Sequence, residues 1–348
     1  MQTAEPRPHP LGPAGSVWTW RGHRISTLRR GPQAGTDREP ADTEAEAARP
    51  DPADAGHPHD PATPPPRVLL IHGFGASIGH WRHTIEALAS GASVHAIDLL
   101  GFGASDKPAS RLADEPESPG SVRYGFDLWA EQVVDYALGP MAGGAAGEGP
   151  LHLVGNSIGG VVALNAARML SERGQPPAQV VLIDCAQRTL DRKRIGELRG
   201  FERWSRPLLP PLVRQRWLLA PLFALLARPA FIRSVLARAY PSGAHLDDEL
   251  VELLHRPASD PGAVESFRGF VNLFDDHLAP DLLASLSLPV RMIWGSRDPW
   301  EDPAEARRWA ATYPCVRELV VLEGLGHCPH DEGPEQVNPL LRRWISAD

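Results

Sequence analysis

From Arg67 onwards the sequence alternates between short, almost continuous apolar runs and longer amphipathic segments. The runs RVLLI, LHLVG and QVVLI are typical of strands buried on both faces, and the segments between them have helical spacing. This alternation predicts an α/β fold with a mostly parallel sheet that is covered by helices on both faces. Two stretches of the chain depart from the alternation and define the predicted domain organisation.

The sequence predicts a core with one excursion and one insertion. Residues 1–30 hold a short alternating segment, which predicts an N-terminal hairpin at the edge of the core sheet. Residues 31–66 are rich in Pro, Ala, Asp and Glu and are expected to be disordered, because they offer too little apolar surface to bury. Residues 67–186 and 289–348 are predicted to form the core. The helical, proline-punctuated residues 187–288 are predicted to form a cap over the strand ends.

Charge and cysteine content exclude several classes of function. The net charge of −8 argues against nucleic acid as the main partner, because phosphate binding needs a basic surface. The three cysteines show no CxxC spacing, so neither a disulfide framework nor a zinc site is predicted. No signal peptide and no run of about 18 apolar residues is recognisable. A cytoplasmic location is therefore expected.

The segment Gly155-Asn156-Ser157-Ile158-Gly159 matches the G-x-S-x-G pattern of a nucleophilic serine on a tight strand-to-helix turn. The flanking glycines allow the helix to pack close to the strand, and the helix N-terminus favours developing negative charge. A second match surrounds Ser77, but that serine lies several residues beyond its predicted strand. The context therefore favours Ser157 as the nucleophile.

A serine hydroxyl needs a base, and the base needs a partner that fixes its orientation. His327 follows the last predicted strand in the glycine-rich segment EGLGH, where it can overhang the sheet edge, and His330 is its rival. Asp298 follows the strand VRMIW and is the predicted acid, with Asp184 and Asp302 as alternatives. The order Ser, Asp, His along the chain is the one expected for such a fold.

The loop His72-Gly73-Phe74-Gly75 directly follows a predicted core strand and can bend towards the serine. An oxyanion needs two backbone N–H donors, which we expect from Phe74 and from Ile158. The nearby segment DLLGFGASDKP, which begins at Asp98, is interpreted as structural, with turn glycines and Asx hydrogen bonds.

Taken together, the motifs HGFGAS, DLLGFGASDKP, GNSIGG, GSRDP and GLGH resemble those of hydrolases with the α/β-hydrolase fold, from about Arg67 to Trp344. Within that superfamily, HGFGASIGHWRHTI, GNSIGG and RPASDPGAVESFRGF resemble cyanobacterial hydrolases related to plant pheophytinase. The resemblance implies a triad of Ser157, Asp298 and His327, and removal of phytol from pheophytin by ester hydrolysis. Haloalkane dehalogenases share the DLLGFGASDKP motif but carry aspartate at the elbow, so the serine disfavours dehalogenation.

The predicted cap is unusually apolar between Leu208 and Val235. Its side chains either pack the cap onto the core or form an apolar chamber above Ser157 for a long acyl or isoprenoid chain. Its arginines are either solvated or in contact with anionic lipid, so peripheral membrane contact through the cap is a further expectation.

The preferred hypothesis is a serine hydrolase that cleaves a carboxylic ester of a bulky hydrophobic substrate, with the phytyl ester of pheophytin or chlorophyll as one candidate. No metal or organic cofactor is expected. A carbon–carbon bond hydrolase and a cofactor-free haloperoxidase use the same triad and stay open as alternatives. A non-catalytic ligand-binding module is a third hypothesis. The sequence does not determine the oligomeric state.

Overall fold

The computed structural model describes residues 15–31, 64–143, 149–188, 191, 193–194 and 209–346. The excursion predicted at 31–66 lies outside the described residues except at its ends, and so does part of the predicted cap. The strands are β1 (Gly15–Trp20), β2 (His23–Arg30), β3 (Arg67–Ile71), β4 (Ser93–Ile97), β5 (Ala109–Ser110), β6 (Ser121–Val122), β7 (Leu151–Asn156), β8 (Gln179–Ile183), β9 (Val290–Gly295) and β10 (Val316–Leu322).

Eight of these strands form one sheet in the order β1-β2-β4-β3-β7-β8-β9-β10, and β5 pairs with β6 separately. The pairings β1–β2 and β2–β4 are antiparallel, and all the others in the large sheet are parallel. The predicted mostly parallel sheet is therefore confirmed. The N-terminal hairpin forms one edge of the sheet.

Helices cover both faces of the sheet. They are α1 (Ile85–Ala89), α2 (Phe126–Leu138), α3 (Ile158–Glu172), α4 (Leu209–Val213), α5 (Arg216–Leu226), α6 (Pro229–Ala239), α7 (Asp248–Ala258), α8 (Ala263–Val271), α9 (Ala279–Ser285), α10 (Pro303–Thr312), α11 (Pro329–Glu332) and α12 (Pro334–Ser346). The chain between Ile78 and Ala89 does not form one continuous helix. It divides into a 3₁₀ turn at Ile78–Trp81, capped by Ser77, and the short helix α1.

The sheet is sandwiched between two apolar layers. On one face, Trp129 of α2 and Leu164 of α3 pack against the strands. On the other, Trp81, Ile85 of α1 and Trp344 of α12 do the same. All six residues of β7 are buried, as expected for a central parallel strand that is covered on both sides.

The chain reverses its direction across the sheet between β3 and β7. After β3 it adds β4 on one side, and then returns to add β7 on the other side of β3. Open α/β sheets bind their ligands at such a switch point, outside the carboxyl ends of the strands. The loops that follow Ile71 of β3 and Asn156 of β7 are therefore placed where a site is expected.

Among the described residues, six helices, α4 to α9, separate β8 from β9, and we refer to them as the helical insertion. Helix α9 packs on α3 of the core, whereas α5 and α6 contact other helices of the insertion. No single helix in the described ranges is long and apolar enough to cross a bilayer. In the same ranges, one pair of helices, α5 and α6, is together long and apolar enough for that, but the two are bent by 73° relative to each other.

Candidate active site

Ser157 occupies a strained turn between β7 and α3. Its backbone lies at φ 54° and ψ −123°, a conformation that L-residues rarely adopt outside functional sites. A Cβ atom on Gly155 would lie 2.2 Å from the Gly159 carbonyl oxygen, and one on Gly159 would lie 2.3 Å from that of Ile71. Both flanking glycines are thus needed for the turn to pass this close to the sheet.

Two backbone N–H groups beside Ser157 are available to an incoming oxygen. A Cβ on Gly73 would lie 3.1 Å from that of Ser157, so the loop after β3 passes directly beside the serine. Among the described residues, no acceptor takes a hydrogen bond from the N–H of Phe74 or of Ile158. Ile158 begins the 15-residue helix α3, whose N-terminus adds a favourable field for negative charge.

His72 fixes the shape of this loop. Its Nε2 accepts a hydrogen bond from Leu99 N–H at 3.0 Å, so its Nδ1 carries the proton and donates to the Gly73 carbonyl oxygen at 2.7 Å. Burial lowers the pKa of His72, which keeps the ring neutral in this role. Gly75 has φ 69°, a left-handed conformation that allows the loop to turn immediately after Phe74.

The segment that begins at Asp98 holds the neighbouring turns, as its interpretation as a structural element implies. The Asp98 carboxylate accepts hydrogen bonds from Ile78 N–H at 2.7 Å and from Ala104 N–H at 2.8 Å. Ser105 Oγ donates to the Asp98 carbonyl oxygen at 2.8 Å.

The imidazole of His327 is paired with a carboxylate. Its Nδ1 lies 2.7 Å from Asp298 Oδ2, and the Asp298 side chain is fully buried. Asp298 Oδ1 accepts hydrogen bonds from the N–H groups of Trp300 and Glu301, which fix its position. The Trp300 ring meets the imidazole edge-to-face, with the ring centroids 4.9 Å apart. The ring of His327 is thus oriented from two sides.

The environment tunes both partners of this pair. Burial opposes protonation of His327, but the hydrogen bond and charge of Asp298, together with the charge of Glu301, outweigh it and raise its pKa above 6.5. Burial also opposes ionisation of Asp298, but the hydrogen bond and charge of His327 outweigh it and lower the pKa of that carboxyl. The pair therefore favours an aspartate that stabilises an imidazolium.

The loop that carries His327 is attached to the serine turn through Asn156. The Asn156 amide donates to the carbonyl oxygens of Ile183 and His327, each at 3.1 Å. Ser157 and His327 are both buried and lie at the carboxyl edge of the sheet. Among the described residues, no hydrogen bond joins Ser157 Oγ to the His327 ring, and such contacts are often long before substrate binds.

The alternatives to Ser157 and His327 have other surroundings. Ser77 Oγ accepts a hydrogen bond from Gly79 N–H at 3.3 Å and caps the 3₁₀ turn. His330 is buried against Trp81, with the ring centroids 4.3 Å apart, and its ring nitrogens have no hydrogen-bond partner among the described residues. Burial lowers the pKa of His330 well below 6.5. Ser77 thus serves as a helix cap, and His330, unlike His327, is not paired with a carboxylate among the described residues.

The alternative acids are placed differently from Asp298. Asp302 caps helix α10 by accepting a hydrogen bond from Ala304 N–H at 2.8 Å. Asp184 is fully buried and accepts a hydrogen bond from Gly295 N–H at 2.9 Å. Burial, and then the nearby charge of Asp298, raise the pKa of Asp184 well above its ordinary range. These surroundings favour the neutral form of the Asp184 carboxyl, in contrast to the ionised form favoured at Asp298.

Sequence reasoning missed Asn156, Glu301 and Trp300. Glu301 accepts a hydrogen bond from Gln187 N–H at 2.7 Å, and burial raises its pKa to about 7. Asn156 directly precedes Ser157, and Glu301 follows Asp298 by three residues. No sequence pattern marks either residue as a hydrogen-bonding or charged partner of His327. Only the fold brings them beside His327.

An apolar cavity of about 240 Å³ adjoins the loop of Phe74. The ring of Phe74 stacks on Phe270 at 3.9 Å between centroids, and it also meets Phe102 edge-to-face. Phe223 and Phe231 of the helical insertion also line the cavity. The cavity thus lies between the core and the insertion, and it is lined almost entirely by apolar groups.

The residues that the structure describes contain no group of three or more His, Cys, Asp or Glu side chains arranged to hold a metal ion. The three cysteines are buried and unpaired. At the carboxyl edge of the sheet, the structure places a strained serine, two backbone N–H donors without an acceptor among the described residues, and a histidine–carboxylate pair.

Comparison with known proteins shows the class to which this fold and site belong. The Alpha/beta hydrolase family matches residues 68–340, so the chain belongs to that family. The solved structure of a serine hydrolase involved in carbazole degradation superposes with a TM-score of 0.65 at 16% identity, covering 96% of this chain and 99% of that one. That likeness shows the fold alone.

Two curated relatives are more informative about activity. A pimeloyl-[acyl-carrier protein] methyl ester esterase from Aeromonas hydrophila is 29% identical over 286 residues, which cover 80% of this chain and 95% of the esterase. The chloroplastic pheophytinase of Arabidopsis thaliana is 25% identical over 323 residues, covering 80% of this chain and 61% of pheophytinase. With such relatives, this α/β hydrolase is a carboxylic ester hydrolase.

Proposed function

We propose that Ser157, His327 and Asp298 form a catalytic triad that hydrolyses the ester of a bulky hydrophobic substrate, and that the helical insertion acts as a cap. The observation that carries this proposal is the buried 2.7 Å pair of His327 Nδ1 and Asp298 Oδ2, on a loop attached to the serine turn by Asn156. The pair leaves Nε2 of the histidine as the basic nitrogen for the serine hydroxyl.

In the proposed mechanism, His327 Nε2 takes the proton of Ser157 as Oγ attacks the ester carbonyl carbon. The N–H groups of Phe74 and Ile158 donate to the oxyanion, in a site from which water is largely excluded. The imidazolium, stabilised by Asp298, then protonates the departing alcohol and leaves an acyl-serine. His327 next takes a proton from water, which attacks the acyl group, and the return of that proton to Oγ releases the acid.

The apolar cavity supports a hydrophobic substrate. Phe74, whose N–H is an expected oxyanion donor, lines the cavity, which is therefore near enough to the expected site to take a chain of the substrate. Burying each methylene group of such a chain contributes about 0.8 kcal/mol. A long acyl chain or an isoprenoid such as phytol fits this chemistry, and the relationship to pheophytinase supports the phytyl ester as one candidate.

The proposal is tested with p-nitrophenyl esters of increasing acyl length, together with pheophytin and chlorophyll assayed for released phytol. Ser157→Ala is expected to abolish ester turnover while its circular dichroism spectrum is unchanged, and Ser77→Ala, the matched control, is expected to retain activity. The rate constant kcat/KM is expected to rise with chain length. Retained turnover by Ser157→Ala contradicts the triad, and turnover of diketones without turnover of esters favours carbon–carbon bond hydrolysis instead.

A further inference from the structure

The outer side of the insertion exposes large apolar side chains. Within α5 only Leu219 is buried, although the helix consists almost entirely of apolar residues. Five of the large apolar side chains that are exposed in the described residues belong to this region, and we call them the apolar cap face: Leu212, Trp217, Leu222, Leu225 and Phe231. Trp217 is 75% exposed. A helix that is apolar all round is normally buried in protein or in lipid, so this face lacks a partner among the described residues.

The segment that carries the apolar cap face has charges of one sign, although three of its arginines pair with acidic residues outside it. Residues 209–239 contain five arginines and no Asp or Glu, in a chain whose net charge is −8. Arg216 pairs with Glu265 and Arg233 with Asp248, outside this segment. Arg228, at the bend between α5 and α6, and Arg238 are exposed, and no ion-pair partner lies near them in the described ranges.

The dimensions of these helices suit the surface of a bilayer rather than its interior. Each of α5 and α6 has 11 residues, or roughly 16 Å at the helical rise, and the two are bent by 73°. The hydrocarbon core of a bilayer is about 30 Å thick. Helices that combine an apolar face with arginines lie in the interfacial plane and prefer anionic lipid.

The apolar cap face is continuous with the cavity behind it. Phe231 is exposed on the outer side and also lines the cavity, and Leu226 and Ile232 of the same two helices line it as well. Phe74 also lines the cavity, and Gly73, which precedes it, passes beside Ser157. An apolar chain that leaves a bilayer at this face therefore reaches the cavity without crossing water.

We propose that α5 and α6 dock the enzyme on the surface of an anionic lipid bilayer and open its apolar cavity towards the lipid. The role of the cavity in taking up a substrate chain rests on the proposed function, whereas docking does not. A second copy of the chain is a poorer occupant, because a two-fold contact would bring Arg228 and Arg238 of both copies together without acidic partners in residues 209–239.

Docking is tested by co-sedimentation of the full chain with vesicles of phosphatidylcholine, with and without phosphatidylglycerol. Ser157→Ala is used in parallel, so that binding is read independently of hydrolysis. We expect pelleting with the anionic vesicles and release at high salt. Trp217→Ser is expected to weaken partitioning roughly tenfold or more. The double variant Arg228→Gln/Arg238→Gln is expected to weaken it roughly 30-fold.

Matched controls lie on β1 and β10, the two edge strands of the large sheet. Val17→Ser, at a half-exposed apolar residue of β1, and Arg317→Gln of β10 are expected to bind vesicles like the wild type. Apart from Ser157→Ala, these variants are expected to hydrolyse p-nitrophenyl acetate at the wild-type rate. Absence of pelleting with anionic vesicles overturns the proposal even if esterase activity is present. A dimer that Trp217→Ser dissociates in light scattering also overturns it, because the face would then join two copies.

Discussion

The side-chain amide of Asn156 lies 3.1 Å from the backbone carbonyl oxygen of His327 and donates a hydrogen bond to it. Because Asn156 directly precedes Ser157, this one bond joins the turn of the proposed nucleophile to the loop of the proposed base. The same amide also donates to the Ile183 carbonyl oxygen at the end of β8. The relative position of serine and histidine is thus set by a buried residue that takes no part in the chemistry.

Replacing Asn156 is therefore expected to impair catalysis more than folding. Asn156→Ala frees the His327 loop, and a misplacement of about 1 Å reduces rates roughly 10²-fold. The measurement is kcat for a p-nitrophenyl ester, with the unfolding midpoint recorded alongside. Asn165→Ala, which removes a buried amide on α3 that bonds Asp127, is the control and should lower stability without this loss of kcat. Equal effects of the two variants on kcat would refute a positioning role.

Replacement by asparagine is expected to reduce kcat strongly at Asp298 and only slightly at Asp184. Asp298→Asn removes the charge that stabilises the imidazolium, and kcat should fall by roughly 10³–10⁴-fold. Asp184→Asn replaces a carboxyl whose pKa is raised well above its ordinary range by burial, so kcat should stay within about tenfold of the wild type. Steady-state kinetics of both variants decides between them. Inactivation by Asp184→Asn, with Asp298→Asn still active, would instead identify Asp184, at the end of β8, as the acid of the triad.

The pH dependence of kcat/KM should depend on Glu301. The base must be neutral, so activity rises with pH through the pKa of His327, which the charges of Asp298 and Glu301 raise above 6.5 against burial. Burial raises the pKa of Glu301 to about 7, so its negative charge acts on His327 mainly above that pH. Glu301→Gln removes this charge, and the part of the acidic limb above pH 7 should move to lower pH with the plateau retained. Glu323→Gln, at an exposed residue near the same loop, is the control. A limb that stays in place or moves to higher pH would exclude this coupling.

Filling the apolar cavity should change chain-length preference. Ala258 lines the cavity, and Ala258→Phe is expected to shorten the space available to the substrate chain. Displacing two methylene groups costs about 1.6 kcal/mol, or roughly 15-fold in kcat/KM. The loss should appear with a p-nitrophenyl palmitate substrate and not with the acetate. Ala237→Phe, on the exposed side of α6, should show neither effect. A uniform loss on both esters in Ala258→Phe would place the chain elsewhere.

Much of the fold follows from local patterns in the sequence. Continuous apolar runs identify the buried strands, and the glycines beside Ser157 mark the tight turn, because a Cβ at Gly155 or Gly159 meets backbone atoms. The pairing of His327 with Asp298 was predictable as a hypothesis, since both follow strands of one parallel sheet and so reach the same edge.

Other features depend on contacts between distant parts of the chain and leave no local pattern. The bond from Asn156 to His327 spans 171 residues, and the approach of Glu301 to His327 is set by how two loops pack. The tautomer of His72 follows from its partners Leu99 and Gly73, which only the folded chain supplies. The exposure of Trp217 could likewise not be predicted, because the sequence of an apolar helix is equally compatible with a buried position.

The identity of the nucleophile is tested most directly by labelling with a fluorophosphonate and mapping the modified peptide by mass spectrometry. We predict stoichiometric modification of Ser157 in the wild type and in Ser77→Ala, much slower modification in His327→Ala, and none in Ser157→Ala. Modification of another serine in the wild type, or labelling that persists in Ser157→Ala, would contradict the assignment of Ser157 and with it the proposed triad.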